Sequence, residues 1–361
     1  METLKFLIAT RLKQVKVSQS SDGFTLIEIL VALLIAFFVI TPLLGLAVNL
    51  LDTDRREQAK ATSEQEIQAA ADFIARDLQQ AVFIYDPVKG LTRNRSTTSA
   101  DSGIKDQIPP NTGDISGCKS SNCVPVLAFW KRRRVTDAIA RDSASGGGVN
   151  CNEPSNAANC DDTFVYSLVT YYLIKDDSST DPWSSAARIG RFEITDGVKN
   201  LKGDYEASGR SRKERRPGFK MFDLNLGGAT VAEKMNQWER ANETYSANDM
   251  QIVVDYIDRT EVDNGQSEKK FQTCPVDLDS NQVNRWTITK PDTTPKPSPG
   301  FYVCVNTEKN IARVFLRGNA WARITPIRSG NPDYSNDALK KLSSYFPTAT
   351  AEVRGIGGLR E

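Results

Sequence analysis

The sequence predicts an α+β protein in which a long N-terminal helix, its first half apolar enough to span a membrane, packs on an antiparallel β-sheet head. Three observations carry this expectation. Phe24 to Leu51 form 28 residues with a single charge, Glu28. Residues 52–83 continue in good helix formers without Gly or Pro. Beyond residue 123, short β-branched and aromatic runs recur between turn residues, with no Gly-rich phosphate loop and no βαβ rhythm.

A helix over 24–51 rises about 42 Å at about 1.5 Å per residue, enough to cross a hydrocarbon core about 30 Å thick. Ahead of it, Lys5, Arg11, Lys13 and Lys16 outnumber Glu2 and Asp22. Such a basic flank stays cytoplasmic and sends the rest of the chain outward. An ordinary cleaved signal peptide, cut near Gly45-Leu46-Ala47, fits less well, because the apolar run is too long and Glu28 interrupts its start. Pro42 falls inside the span and frees a carbonyl near Phe38.

The amphipathic continuation carries Ile67, Ala70, Ala71, Ile74, Leu78, Ala81 and Val82 at three- and four-residue steps, a face for burial on the head. Span and continuation together reach roughly 90 Å as one helix, ended by Asp86-Pro87. Residues 88–123 are rich in Ser, Thr, Gly, Asn and Pro and read as a long excursion. Strands are expected at 124–130, 163–174, 187–194, 250–257, 301–305 and 311–316, with loop insertions at 131–162, 203–249 and 258–300. They are expected to form one antiparallel sheet against the helix.

Composition narrows the chemistry. The 361 residues have 39% hydrophobic and 25% charged side chains, as a folded water-soluble body does. Lys plus Arg total 46 against 45 for Asp plus Glu, so no general nucleic-acid binder is expected. The chain has no histidine. Ser/His/Asp and Cys/His catalysis, His-ligated metals and a histidine pH switch are therefore excluded. No cofactor is expected.

Six cysteines, Cys118, Cys123, Cys151, Cys160, Cys274 and Cys304, suit disulfides in an oxidising exterior. Fifteen connectivities exist. Pairing of sequence neighbours is the simplest, and the lack of a C-x-x-C motif argues against zinc. Two basic clusters, Lys131-Arg132-Arg133-Arg134 and Arg210, Arg212, Lys213, Arg215, Arg216 and Lys220, read either as loop charge neutralised by nearby acids or as a patch for an acidic polysaccharide, DNA or lipid head groups. Asp277-Leu278-Asp279-Ser280-Asn281 has calcium-loop character but lacks the glycine and the bidentate glutamate of such a loop. No metal site is expected.

Glu28 is the unusual residue, because a carboxylate in an apolar helix costs a few kcal/mol and marks a partner. It follows Gly23-Phe24-Thr25-Leu26-Ile27. This order, a basic leader ending in Gly and then Phe-Thr-Leu-Ile-Glu opening an apolar helix, resembles the N-terminal signal of type IV prepilins and type II secretion pseudopilins. The resemblance implies cleavage between Gly23 and Phe24 by a prepilin peptidase, N-methylation of Phe24, and assembly through the apolar helix. Physically, Glu28 in the first turn complements the helix dipole, and the amine of an adjacent subunit neutralises it. A desolvated pair of that kind fixes axial register more than it stabilises. Loss of the leader leaves 42 basic and 43 acidic residues, formally −1.

The segment ADFIARDLQQAVFIYDP, residues 71–87, also resembles J-type minor pseudopilins, and more closely a cyanobacterial pseudopilin of hormogonium polysaccharide secretion. The expected organisation is a leader (1–23), an anchor (24–51), the amphipathic helix half (52–86) and an exoplasmic head (87–361). The resemblance implies a single-pass inner-membrane protein with its N-terminus cytoplasmic, serving polysaccharide export and motility from a pseudopilus or pilus tip. Implied partners are the peptidase, major and minor pilins, the inner-membrane assembly platform, membrane lipid and an exported acidic polysaccharide. The competing expectation is a membrane-anchored exoplasmic carbohydrate-active enzyme or binding protein, for which 45 acidic residues supply ample candidates.

Overall fold

Long helical periodicity without an internal stop yields one helix, α1, over Leu26–Leu78. The computed structural model describes residues 23–115, 117–141, 151, 154–175, 183–199, 203, 205, 214–261, 274–289, 298–324, 342–357 and 359. Two units divide the chain at Arg55–Arg56. In the first, residues from Gly23 to Arg55 are exposed, the apolar ones included. In the second, Ala59, Ser63, Ile67, Ala70, Ala71, Ile74, Asp77 and Leu78 form the buried stripe of α1.

The head has two antiparallel sheets rather than the single one expected. The first has the order β1 (Ala81–Ile84), β2 (Cys123–Ala140), β3 (Cys160–Lys175), β4 (Ala187–Thr195), β5 (Met250–Ile257). The second has the order β6 (Thr287–Ile288), β7 (Phe301–Asn306), β8 (Ile311–Arg317), β9 (Thr348–Arg354). Both are meanders, in which each strand pairs antiparallel with the next. They meet where Asp258 N–H donates to the Arg317 carbonyl (2.9 Å) and Asn319 N–H to the Tyr256 carbonyl (2.7 Å).

Alternate strand residues point to opposite faces, and the first sheet is buried on both. Leu127, Phe129, Val169, Tyr171 and Leu173 join the α1 stripe and residues of β7, β8 and β9 in one core. Ala128, Trp130, Leu168, Tyr172 and Ile174 enter a second core on the other face. Double burial explains why β3 from Phe164 to Ile174 is a near-continuous apolar run, interrupted only by Ser167 and Thr170, rather than an alternating one. The second core is closed by Leu91, Ile104, Ile108, Phe219, Met235, Trp238 and Tyr245. The excursion at 88–123 and part of the 203–249 insertion are thus a packed cover over the sheet. Trp130 is its centre, meeting Phe219, Phe222 and Trp238 edge-to-face at 5.1–5.8 Å.

Three element boundaries depart from expectation. The helix stops at Leu78, and Ala81–Ile84, expected as its last turn, is the edge strand β1. Ala-Val-Phe-Ile buries all four side chains there, and burial in the sheet outweighs helix propensity. β2 runs on through Lys131–Ala140, because Arg134, Arg133, Arg132 and Lys131 pair in register with Phe164, Val165, Tyr166 and Ser167. β9 was not anticipated, since Thr-Ala-Thr-Ala-Glu-Val-Arg offers little apolar contrast.

Candidate processing and assembly site

Gly23, Phe24 and Thr25 precede the helix in non-helical backbone, and α1 begins at Leu26. Thr25 caps it. The Glu28 N–H donates to Thr25 Oγ1 at 3.4 Å, and Thr25 N–H and Oγ1 donate to Glu28 Oε2 at 3.5 Å each. This is a Thr-x-x-Glu capping box, stretched to the long limit of hydrogen bonding. The sequence reading placed Glu28 in the first turn but missed the box, which the Thr25-x-x-Glu28 spacing announces. The box leaves Glu28 exposed and its bonds weak, so the carboxylate is placed at the helix start yet remains available to a stronger partner.

Among the described residues, a Cβ added at Gly23 would meet nothing within 4 Å. Phe24 is 77% exposed. Along one side of the helix, Leu26, Ile29, Leu30, Leu33, Leu34 and Phe37 form a continuous apolar stripe at helical spacing. At Pro42 the helix continues, and the Thr41 hydroxyl donates to the Phe37 carbonyl at 2.8 Å. Among the described residues of this first unit, nothing covers the apolar surface of the helix.

The remaining sequence candidates lie elsewhere. The disulfides join Cys118 to Cys123, Cys151 to Cys160 and Cys274 to Cys304, with Cα separations of 5.0, 5.9 and 5.6 Å. The Lys131–Arg134 cluster sits in a strand, not in the expected loop. Lys131 is buried between Asp77 (2.8 Å) and Glu193 (3.1 Å), Arg132 lies over the Phe164 ring at 4.4 Å, and Arg134 pairs with Asp162. In the second cluster Arg215 pairs with Glu243, Arg216 faces Asp249 and Lys220 faces Glu239. Arg210, Arg212 and Lys213 lie outside the described residues.

Asp277 is occupied by Lys309 at 2.6 Å and Asn306 at 3.0 Å, while Asp279 accepts the N–H groups of Asn281 and Val283 at 2.8 Å each. These acids brace a turn. Among the described residues no three His, Cys, Asp or Glu side chains converge as a metal site.

One polar cluster escaped the sequence reading. Asp77 on α1 accepts from Lys131 on β2 (2.8 Å), Arg191 on β4 (2.7 Å) and the Tyr171 hydroxyl on β3 (2.8 Å). Glu193 closes the ring by contacting Lys131 at 3.1 Å and Arg191 at 2.7 Å. Burial alone would raise the Asp77 and Glu193 carboxyls, but Arg191 and Lys131 outweigh it and hold both below the ordinary carboxylate range. Two acids and two bases leave no net charge, which makes burial affordable. The ring clamps the end of α1 to the sheet.

Residues 19–44 match the family model of the prokaryotic N-terminal methylation motif. The match spans the Gly23–Phe24 junction, the capping box and the whole apolar stripe from Leu26 to Phe37. This motif supports a protein of the type IV pilin or pseudopilin kind, a structural rather than catalytic component, whose general partners are the prepilin peptidase and other pilins. With the apolar helix it fits a single-pass membrane anchor. The match ends before residues 71–87, where the J-type resemblance lies. Comparison with curated proteins and with solved structures found no match.

Proposed function

We propose that the chain is a minor pilin or pseudopilin of a type IV pilus-like or type II secretion-like fibre. It enters the membrane as a precursor and is cut between Gly23 and Phe24 on the cytoplasmic side. Phe24 then carries the methylated amine, and the apolar helix passes from membrane anchor to filament core. The observation supporting this most directly is Glu28: an exposed carboxylate four residues beyond Phe24, in the first turn of a helix whose apolar residues from Leu26 to Leu51 are all exposed.

In the filament, Glu28 exchanges its long bonds to Thr25 for an ammonium on a neighbour. The gain is an ion pair in place of long bonds to neutral donors, and its effect is positional. The large head, with its extra sheet cover, suits a tip or initiating place better than a repeated shaft place, because bulky heads clash when stacked. Polysaccharide export linked to surface motility is the service this reading assigns, in keeping with the resemblance of residues 71–87.

Mass spectrometry of the membrane-extracted protein tests the reading. The expected N-terminus is N-methylphenylalanine at residue 24. An intact Met1, or a chain starting after Ala47, would overturn it.

A further inference from the structure

β9 is the last strand of the second sheet, paired with β8 over seven residues from Arg317↔Thr348 to Ile311↔Arg354 without a register shift. The Pro347 carbonyl accepts from Gly318 N–H at 2.8 Å, and Gly355 N–H donates to the Asn310 carbonyl at 2.9 Å. Odd-numbered backbone groups therefore face β8. By the alternation of an antiparallel ladder, the N–H and C=O groups of Thr348, Thr350, Glu352 and Arg354 face away from it. Among the described residues no strand lies on that side.

Folded proteins blunt such edges with bulges, proline, short length or charged side chains, lysine above all, and the charges of β9 are confined to Glu352 and Arg354. β9 is regular, and from Thr348 to Val353 it has no Pro, Gly or Lys. The side chains of Thr348, Thr350, Glu352 and Arg354 are all exposed.

We propose that this edge is an interaction surface for a second copy of the chain, with the two β9 strands paired antiparallel about Val353. The charges select the register. Centred on Glu352, the pairing sets two glutamates opposite each other. Centred on Ala351, it sets Glu352 opposite Thr350. Centred on Val353, it sets Glu352 of each copy opposite Arg354 of the other, and Thr350 opposite Ile356.

In that register Glu352 and Arg354 exchange both backbone hydrogen bonds, since both point their amides and carbonyls outward. Their side chains share the exposed face as a cross-strand opposite-charge pair, made twice by the two-fold symmetry. Glu352 already meets Arg313 of β8 at 2.5 Å. Arg354 has no ion-pair partner among the described residues, so the second copy supplies it.

Full-length chain in detergent, measured by sedimentation equilibrium, tests the pairing. The wild type is expected to dimerise in the micromolar range, since a strand edge is a small interface. Arg354→Glu places glutamates opposite glutamates and is expected to weaken dimerisation about tenfold or more. Circular dichroism checks that this exposed variant keeps the fold. The inverted triple variant Arg313→Glu, Glu352→Arg, Arg354→Glu is expected to regain self-association yet refuse to mix with wild type.

A chain that stays monomeric to about 100 µM overturns the proposal. So does an Arg354→Glu variant that associates as strongly as wild type, which would mark contact through the apolar helix instead. A triple variant that mixes freely with wild type overturns the register.

Discussion

Asp77 and Lys131 stand 54 residues apart in the chain and 2.8 Å apart in the fold, with side chains each 8% exposed. Asp77 is the one member of the buried ring contributed by α1. Lys131, Arg191, Glu193 and Tyr171 come from the first sheet. Helix and sheet are therefore joined by charge as well as by the apolar stripe.

Replacement of Asp77 by Ala leaves Lys131 and Arg191 buried with only Glu193 between them. Removing one partner of such a group costs about 3–5 kcal/mol. Urea unfolding of the full chain in detergent should show that loss. A loss below about 1 kcal/mol, the size of an exposed ion pair, would mean that water reaches the ring.

Acid should loosen the same ring. Asp77 and Glu193 titrate below their ordinary values in the fold. Their contribution is complete above the unfolded pKa values, about 3.9 and 4.3, and is lost as pH falls through the lower folded ones. Asp249 runs the other way: its burial raises it against Ser246 N–H and Arg216, so its contribution is complete at low pH and lost as pH rises through its folded value. The two ring acids outnumber it. The urea midpoint is expected to drop as pH falls below about 4, and to drop less in Asp77→Asn with Glu193→Gln.

At the N-terminus, the proposed function separates two substitutions. Glu28→Ala is expected to leave insertion and cleavage normal and to abolish assembly, scored by recovery of sheared fibres. Thr25→Val removes the cap, at about 0.5–2 kcal/mol, and should speed amide exchange at Leu26–Ile29 without moving the cleavage site.

The disulfides should rank by the loop they close. On the chain-entropy account, replacing Cys274 and Cys304 by Ser, 30 residues apart, costs about 3–4 kcal/mol. The same change at Cys118 and Cys123, 5 apart, costs about 2 kcal/mol. Denaturation midpoints of the two variants test the order.

Legibility followed contiguity. Gly-Phe-Thr-Leu-Ile-Glu is an unbroken string and was readable as such, as were strands such as 163–174, where β-branched and aromatic residues run together. The ring was not readable, because its charges come from three segments, and Lys131 looked like one more member of a basic run. The cover of the first sheet was hidden for a related reason: Leu91, Ile104 and Ile108 are scattered among turn residues without a period. The end of α1 was missed because nothing near Gln79-Gln80 breaks a helix. Only the sheet beyond claims Ala81–Ile84.

The clamp around Asp77 has a further effect on how α1 lies on the head. If the helix slid by one turn, about 5.4 Å, toward its own C-terminus, Phe73 would come to the place of Asp77. Lys131 and Arg191 would then face a benzyl group in a buried setting. Apolar residues along the stripe are interchangeable enough to tolerate such a slide, but the carboxylate is not, so the helix has one seat.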